Sequence, residues 1–497
     1  MLHGNATLSV GGDRSNSASY SGPISGSGGV TKISSGKQTL DGMNTYTGAT
    51  TVNAGTLLLD FANLASPDNV TANASALTLG GGRLSVLERT GPGVVTNQTL
   101  GDLTLAAHTA SAILLDPNNS GAGGTTLTLG NTWIRNAAAT LFIDYSAPGS
   151  GARIVRTLGP VTGTGAVSHG LFPYVLVKDA GGVGFATQDA SFNIVRSTAT
   201  SIVLSTSNSV AETPTADFTT VSTDPDYSSP GGTLMLDNAV HCASTLTIDS
   251  TGGSTLDLGG TAEVPTFSSN GLLVYGDGDY TIENGALDAS GSELIVHQIG
   301  AGVLTIASPL TGGTGSLTKD GSDTLRLTGI QDYSTLSTNG GTTNLEVMLG
   351  TGSSTLKADA ATNINISQTL AALNIGANGV VTLRGVIAPF AADSEFGDEA
   401  GPFCWIRAHE PGSERCSGTG HWQPCRQRRS APRIAQEADC FRGLTHSHHC
   451  FAGFVHVPSM TTFVRSMREF SWMSCAMRFD SIRTQPCDAA NFGTVGK

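Results

Sequence analysis

Short runs such as Thr56-Leu57-Leu58-Leu59, Ala76-Leu77-Thr78-Leu79, Thr125-Thr126-Leu127-Thr128-Leu129, Ser244-Thr245-Leu246-Thr247-Ile248 and Ser254-Thr255-Leu256-Asp257-Leu258 alternate apolar with polar residues, and each is bounded by Gly, Asn or Asp. A period of two is that of a strand with one buried and one wetted face. No segment carries a convincing long amphipathic helix, which argues against βαβ crossovers. The composition agrees: Gly is 64 of 497 residues, roughly twice the usual share of about 7%. Thr and Val suit a pleated, half-buried surface, while Gly and Asn supply the positive-φ positions of tight turns. An all-β chain of many short strands is expected.

A formal charge of −13 argues against a nucleic-acid partner, which needs clustered Lys and Arg. No run of about 18 apolar residues exists, so no transmembrane helix is expected. Leu2-His3-Gly4-Asn5-Ala6 has neither the basic nor the apolar region of a secretory signal.

The last 102 residues read differently. Seven of the eight cysteines, from Cys404 to Cys487, lie after Glu395, with Cys242 alone before it. Three of four Trp, six of eleven His and eleven of the Arg residues also fall there. Stretches such as Cys425-Arg426-Gln427-Arg428-Arg429-Ser430 and His446-Ser447-His448-His449-Cys450 have the bias of a GC-rich gene translated out of frame. The segment 396–497 is therefore expected to be a disordered or frameshift-derived tail, leaving any repeat stack before it without its own end cap.

Self-similarity at long range is the sharper signal. Lys32, Leu40, Gly42 and Tyr46 recur at identical offsets as Lys319, Leu327, Gly329 and Tyr333. A second echo follows each copy, Gln98-Thr99-Leu100-Gly101-Asp102-Leu103 and then Gln368-Thr369-Leu370-Ala371-Ala372-Leu373.

These residues resemble the autotransporter-associated β-strand repeat. Gly29-Val30-Thr31-Lys32, Gly36, Thr39, Leu40, Gly42, Asn44-Thr45-Tyr46-Thr47-Gly48, Thr50, Val52 and Gly55-Thr56-Leu57 fit its pattern, with departures at Ser34, Lys37 and Gln38. The second copy keeps Gly315-Ser316-Leu317-Thr318-Lys319, Gly321, Thr324-Leu325 and Leu327, replaces Asn-Thr by Gln331-Asp332, and falls out of register after Ser334. The resemblance implies a passenger-domain fragment of a secreted or autotransported bacterial surface protein, folded as a right-handed parallel β-helix. Leu and Val ladders would line its interior and Thr, Ser and Asn ladders its exterior. Gly42, Gly48 and Gly55 would mark corners, and Asn44 could stack with amides of other rungs.

Chemistry is hard to find. No nucleophile elbow, zinc-protease helix, P-loop or EF-hand pattern is present, and Gly26-Ser27-Gly28-Gly29 reads as a turn. Gly276-Asp277-Gly278-Asp279 does not recur as a calcium nonapeptide does. Asp224, Asp226, Asp277, Asp279 and Glu283, with His297, are the acids a polysaccharide-active enzyme would use, but acids between turns are ordinarily solvated turn residues. His241 and Cys242 are adjacent on a strand and point to opposite faces. Cys404, Cys416, Cys425 and Cys440 lack paired zinc spacing, although His446, His448, His449 and Cys450 cluster. The basic string Arg426 to Arg433 lacks interleaved aromatics.

The expected organisation is a solenoid start over 1–57 with the first repeat match at 24–57, a strand-rich body over 58–310 with a looped region at about 205–232, a degenerate repeat over 311–395, and the tail 396–497. The function expected is a structural or adhesive module at the cell surface, associated with the outer membrane. It would have no catalytic, cofactor-binding or metal-binding residue and no cofactor. Cell-surface glycans or other surface proteins are the expected partners, and a loop at Val210 to Pro230, interrupted by Pro214, Pro225 and Pro230, the expected binding element. The alternatives are a β-helical polysaccharide lyase or hydrolase, and a truncated or frameshifted product without native function.

Overall fold

The computed structural model describes Leu2, Gly4 and residues 6–384, apart from 12–16, 74, 119–122, 166–170, 198–201, 204–216, 221–232, 236–241, 259–265, 289–292, 312–314 and 350–353. Beyond 384 it describes three strands, Phe403–Ala408, Ala452–Val455 and Phe479–Gln485. Among the described residues every regular element is a strand. The alternation read from the sequence is the burial pattern itself: in Thr56–Asp60, Leu57 and Leu59 are buried while Thr56, Leu58 and Asp60 are partly exposed.

Within the stacks, strands pair in parallel with their equivalents one turn of chain later, which makes the fold a β-solenoid. In the first arm, residues 2–197, a turn such as Gly29–Lys32, Lys37–Leu40, Thr45–Tyr46 stacks on Thr7–Val10, Ala18–Tyr20, Ser25–Gly26. Val30 lies against Thr50, Thr50 against Leu77, Leu77 against Leu103 and Leu103 against Trp133, so along this face the offset varies between 20 and 30 residues. The extra length goes into the connections between strands, while the interior column Gln38, Leu57, Leu84, Ile113, Ile143, Val177 stays in register. All six are buried.

The first arm ends in a cap that sequence reading did not find. Phe172–Asp179 continues the parallel stack, then Gly182–Gln188 and Asn193–Arg196 return antiparallel, and the last of these pairs with Ala152–Thr157 on another face. Two hairpins thus bridge the end of the stack and occupy edges that would otherwise stand open. Asp179 closes the first turn by accepting from the Gly181 N–H at 2.7 Å, with Gly182 at φ +118°.

The second arm, residues 202–384, has two long faces, and its third side shrinks to Leu287–Asp288, Leu310–Thr311 and bridges of Gln331 to Leu310 and Leu349. Its turns shorten towards the end, where Leu317, Leu336, Leu356 and Leu373 lie successively opposite one another. The other face carries the column Leu256, Ile282, Ile306, Leu327, Leu345, Ile364, Leu383. None of these is more than 1% exposed. Each such side chain contributes about 1.5–3 kcal/mol on burial, and only stacking brings that burial about, because a single turn has nothing to shield its apolar face.

The expected loop Val210 to Pro230 lies outside the described residues apart from the strand Asp217–Thr220. The expected nature of the tail 396–497 also lies outside them, save for the three strands named above.

Candidate functional site: repeat corners and the seam between the arms

The residues that recur in sequence recur in role. Lys32 is fully buried, and its Nζ donates to Ile33 O, to Ser34 O at 2.6 Å and to Ala54 O, one turn on, at 3.2 Å. Lys319, equally buried, donates to Gly321 O at 2.8 Å and, one turn on, to Gly340 O at 2.9 Å. Each ammonium therefore ties its own corner to the next and satisfies carbonyls that strand pairing leaves over. Burial pulls both lysines below their ordinary pKa, Lys319 to about 8, where Asp320 and Asp323 oppose the shift.

Asn44 does not stack on other amides. Its Oδ1 accepts from the Ile24 N–H at 2.8 Å in the preceding turn, and its Nδ2 donates to Gly42 O at 2.8 Å. Gln98 and Gln368, the second echo, do the same work: Gln98 Oε1 accepts from the Thr71 N–H at 3.3 Å, and Gln368 Oε1 from the Leu349 N–H at 2.8 Å. Gln331 at the Asn44 position donates to Gly329 O, as Asn44 does to Gly42 O.

The register that sequence reading loses after Ser334 is recovered in space. Lys32 pairs with Val52 and Lys319 with Thr338, so the second copy is one residue shorter after its tyrosine and back in step from Thr338. Gly55 and Gly341 then occupy the same corner, both at φ +62°. A Cβ at either would sit within 2.4 Å of a carbonyl oxygen, Gly36 O or Asp323 O. Gly42 and Gly48 are also corners, packed against Ser21 and Gly28 of the turn below.

Polar side chains also gather where the arms meet. The arms lie side by side in opposite order, with His108 and Ala138 of the first against Ser337, Asn339 and Lys357 of the second, and Pro173 against His297. His108 Nδ1 is 2.9 Å from Ser337 Oγ, and its Nε2 is 2.9 Å from Lys357 Nζ. Asn339 Nδ2 donates to Ala138 O at 2.5 Å. Arg135 forks onto Glu293 at 2.8 and 3.0 Å and lies 4.9 Å from the centroid of the Tyr174 ring, and Thr318 donates to the same carboxylate at 2.6 Å.

At the capped end, buried His297 sits 3.2 Å from Asp320 Oδ2 and 2.9 Å from Pro173 O, edge-on to Phe185. Leu171, Leu176, Phe185 and Leu273 form an apolar cluster beside it. Burial pushes the Asp320 carboxyl up, but the hydrogen bond and charge of His297, with bonds from Gly321 and Thr140, outweigh this and hold it below its usual value. Both partners of His297 are thus acceptors.

The candidate catalytic acids are not brought together. Asp277 and Asp279 are exposed at a turn, where Asp279 accepts from the Val303 N–H at 2.8 Å. Glu283 ends the strand Tyr280–Glu283 on the face of the second arm opposite the seam sheet, and His297 lies in the seam. Asp224, Asp226 and His241 lie outside the described residues, as does the Cys242 side chain. Of Cys404, Cys416, Cys425, Cys440, His446, His448, His449 and Cys450 only the backbone of Cys404 is described, and Arg426 to Arg433 lies outside. Among the described residues no three His, Cys, Asp or Glu side chains are grouped to hold a metal. Nor is any helix there long and apolar enough to cross a membrane.

The corners and columns define a class, a repeat solenoid whose recurrent polar residues serve stacking. Two stretches, residues 30–59 and 317–345, match the passenger-associated-transport-repeat, and they coincide with the turns held by Lys32 and Lys319. These matches support an autotransporter passenger-type repeat protein. Over 355 residues, 70% of its length, it is 29% identical to the adhesin BmaC autotransporter of Brucella suis biovar 1 (strain 1330), and it spans about a tenth of that protein. No solved structure matches it.

Proposed function

We propose that this chain is a structural and adhesive segment of a surface-exposed passenger, attached at the outer membrane and without catalytic activity. The observation that carries this reading is the unbroken stacking: both arms are filled by apolar columns, and the motif side chains Lys32, Asn44, Lys319 and Gln368 are committed to backbone groups of neighbouring turns. Such a body is a stiff spacer rising about 4.8 Å per turn. Recognition of glycans or surface proteins then falls to its loops and its outward rows of Thr, Ser and Asn. The name of the relative, an adhesin, supports the reading.

The test is to display the full chain on a non-adherent bacterium and measure attachment to cultured cells and to a glycan array. Attachment above the bare host is the expected result. Attachment equal to the host, or turnover of a plant or microbial polysaccharide by the purified chain, would overturn it.

A further inference from the structure

The seam is unlike the rest of the molecule, because its polar contacts join turns that no stacking rule brings together. The outer of these contacts is unusual in its chemistry. An ammonium can only donate, so Lys357 Nζ at 2.9 Å requires His108 Nε2 to be an acceptor, and the imidazole is neutral, with Nδ1–H directed to Ser337 Oγ. A proton added to Nε2 would replace this hydrogen bond by two cations in contact. Among the described residues Glu293, on the strand Glu293–Gly300, also acts on His108, and its carboxylate is already held by the guanidinium of Arg135 on the same arm as His108.

The inner contact has the opposite character. His297 stands between two acceptors, Asp320 Oδ2 and Pro173 O, rather than against a cation. It is also backed by the apolar cluster of Leu171, Leu176, Phe185 and Leu273.

We propose that the seam is an acid-labile clasp: protonation of His108 against Lys357 parts the arms at their outer turns, while the end built on Pro173, His297 and Asp320 stays joined and serves as the hinge. Burial first, and the Lys357 charge second, depress the His108 pKa to about 4 in the closed form, with Glu293 opposing. Parting the arms returns the ring to water and to an ordinary value of about 6.5. The parted form therefore binds the proton more tightly, and between pH 6.5 and 4 each unit of acidification shifts the balance towards it by up to about tenfold. Above pH 6.5 the term vanishes and the arms stay closed. The consequence is a passenger segment that lengthens and uncovers its seam on entering an acidic compartment.

The test is solution X-ray scattering of the full chain between pH 7 and pH 4, with far-UV circular dichroism on the same samples. The maximum dimension should grow reversibly between pH 6.5 and 4 while the β signal stays constant. His108→Gln presents an acceptor to Lys357 and a donor to Ser337 without a titrating group, and it should stay compact over this range. Lys357→Met removes the opposing cation and should move the opening to lower pH. An unchanged dimension in the parent chain, opening of His108→Gln at the parent pH, or growth that occurs only with loss of β signal would each overturn the clasp.

Discussion

The two arms stack by the same corner chemistry but with turns of different length. The first arm has three sides, connections that lengthen along the stack, and a cap of two hairpins over Phe172–Arg196. The second has two long sides and shorter turns. What stays constant is the lysine tied to the next corner, the amide tied to the backbone of the previous turn, and the glycine at φ +62°. Turn length is therefore free wherever the connection runs outside the interior column, and constrained at the corners, where carbonyls approach too closely for a side chain. One lost residue in the second copy makes the point. It puts Leu336 where the first copy has Thr50, since Val30 faces Thr50 and Leu317 faces Leu336.

The largest expected effect tests whether the arms are separate cooperative units. Leu345 is fully buried between Leu327 and Ile364. Leu345→Asp places an unpaired carboxylate there, at a cost above about 4 kcal/mol. Amide exchange should show protection lost over residues 303–383 and kept over 29–157. Loss in both arms at once would show that the seam fuses them into one unit.

The lysines give a smaller effect and a pH signature. Lys319→Met leaves Gly321 O and Gly340 O without their donor, at about 1–3 kcal/mol in denaturant titrations at pH 7. Lys32→Met should cost more, because three carbonyls lose their partner. With Lys319 at about 8 in the fold and about 10.4 in the unfolded chain, the unfolded state binds more protons between these values. Stability should rise with pH across that window. Lys319→Met should flatten the rise. Above about pH 10, buried tyrosines with raised pKa values, Tyr46 at about 12 among them, make the unfolded chain bind fewer protons, and stability should fall.

The sequence made the strands and their parallel stacking legible because both signals are local to a turn. Period two marks the buried side of each strand, and the offsets of Lys32, Leu40, Gly42 and Tyr46 repeat because each sits at a corner that the next turn must match. The role of the amides was half legible: the echo of Gln98 in Gln368 is visible, but backbone rather than another amide is its partner. The seam was not legible. His297 meets Pro173 across 124 residues and His108 meets Lys357 across 249, and nothing beside His108, Arg135 or Glu293 in the chain distinguishes them from solvated residues. His297 was singled out for the wrong company, since its partner is Asp320 rather than Asp277, Asp279 or Glu283. The cap was missed because its strands carry the same alternation as the parallel ones, and only the Gly-rich turn at Asp179-Ala180-Gly181-Gly182 signals the reversal.

The smallest effect isolates the residue lost between the two copies. In the first arm the Tyr46 hydroxyl is 2.7 Å from Thr50 Oγ1, which is 2.7 Å from Ser75 Oγ, and Ser75 donates to Gly48 O at 2.8 Å. In the second arm Leu336 fills the place of Thr50, and the buried Tyr333 hydroxyl has no partner. The two phenylalanine variants should therefore differ in sign. Tyr46→Phe breaks a satisfied relay and should cost about 1 kcal/mol, whereas Tyr333→Phe removes an orphaned polar atom and should be neutral or stabilising by up to about 1 kcal/mol. Urea titrations of both variants beside the parent chain measure the difference. Equal destabilisation would mean that the Tyr333 hydroxyl is satisfied in solution, and that the shortened turn of the second copy carries no penalty at this corner.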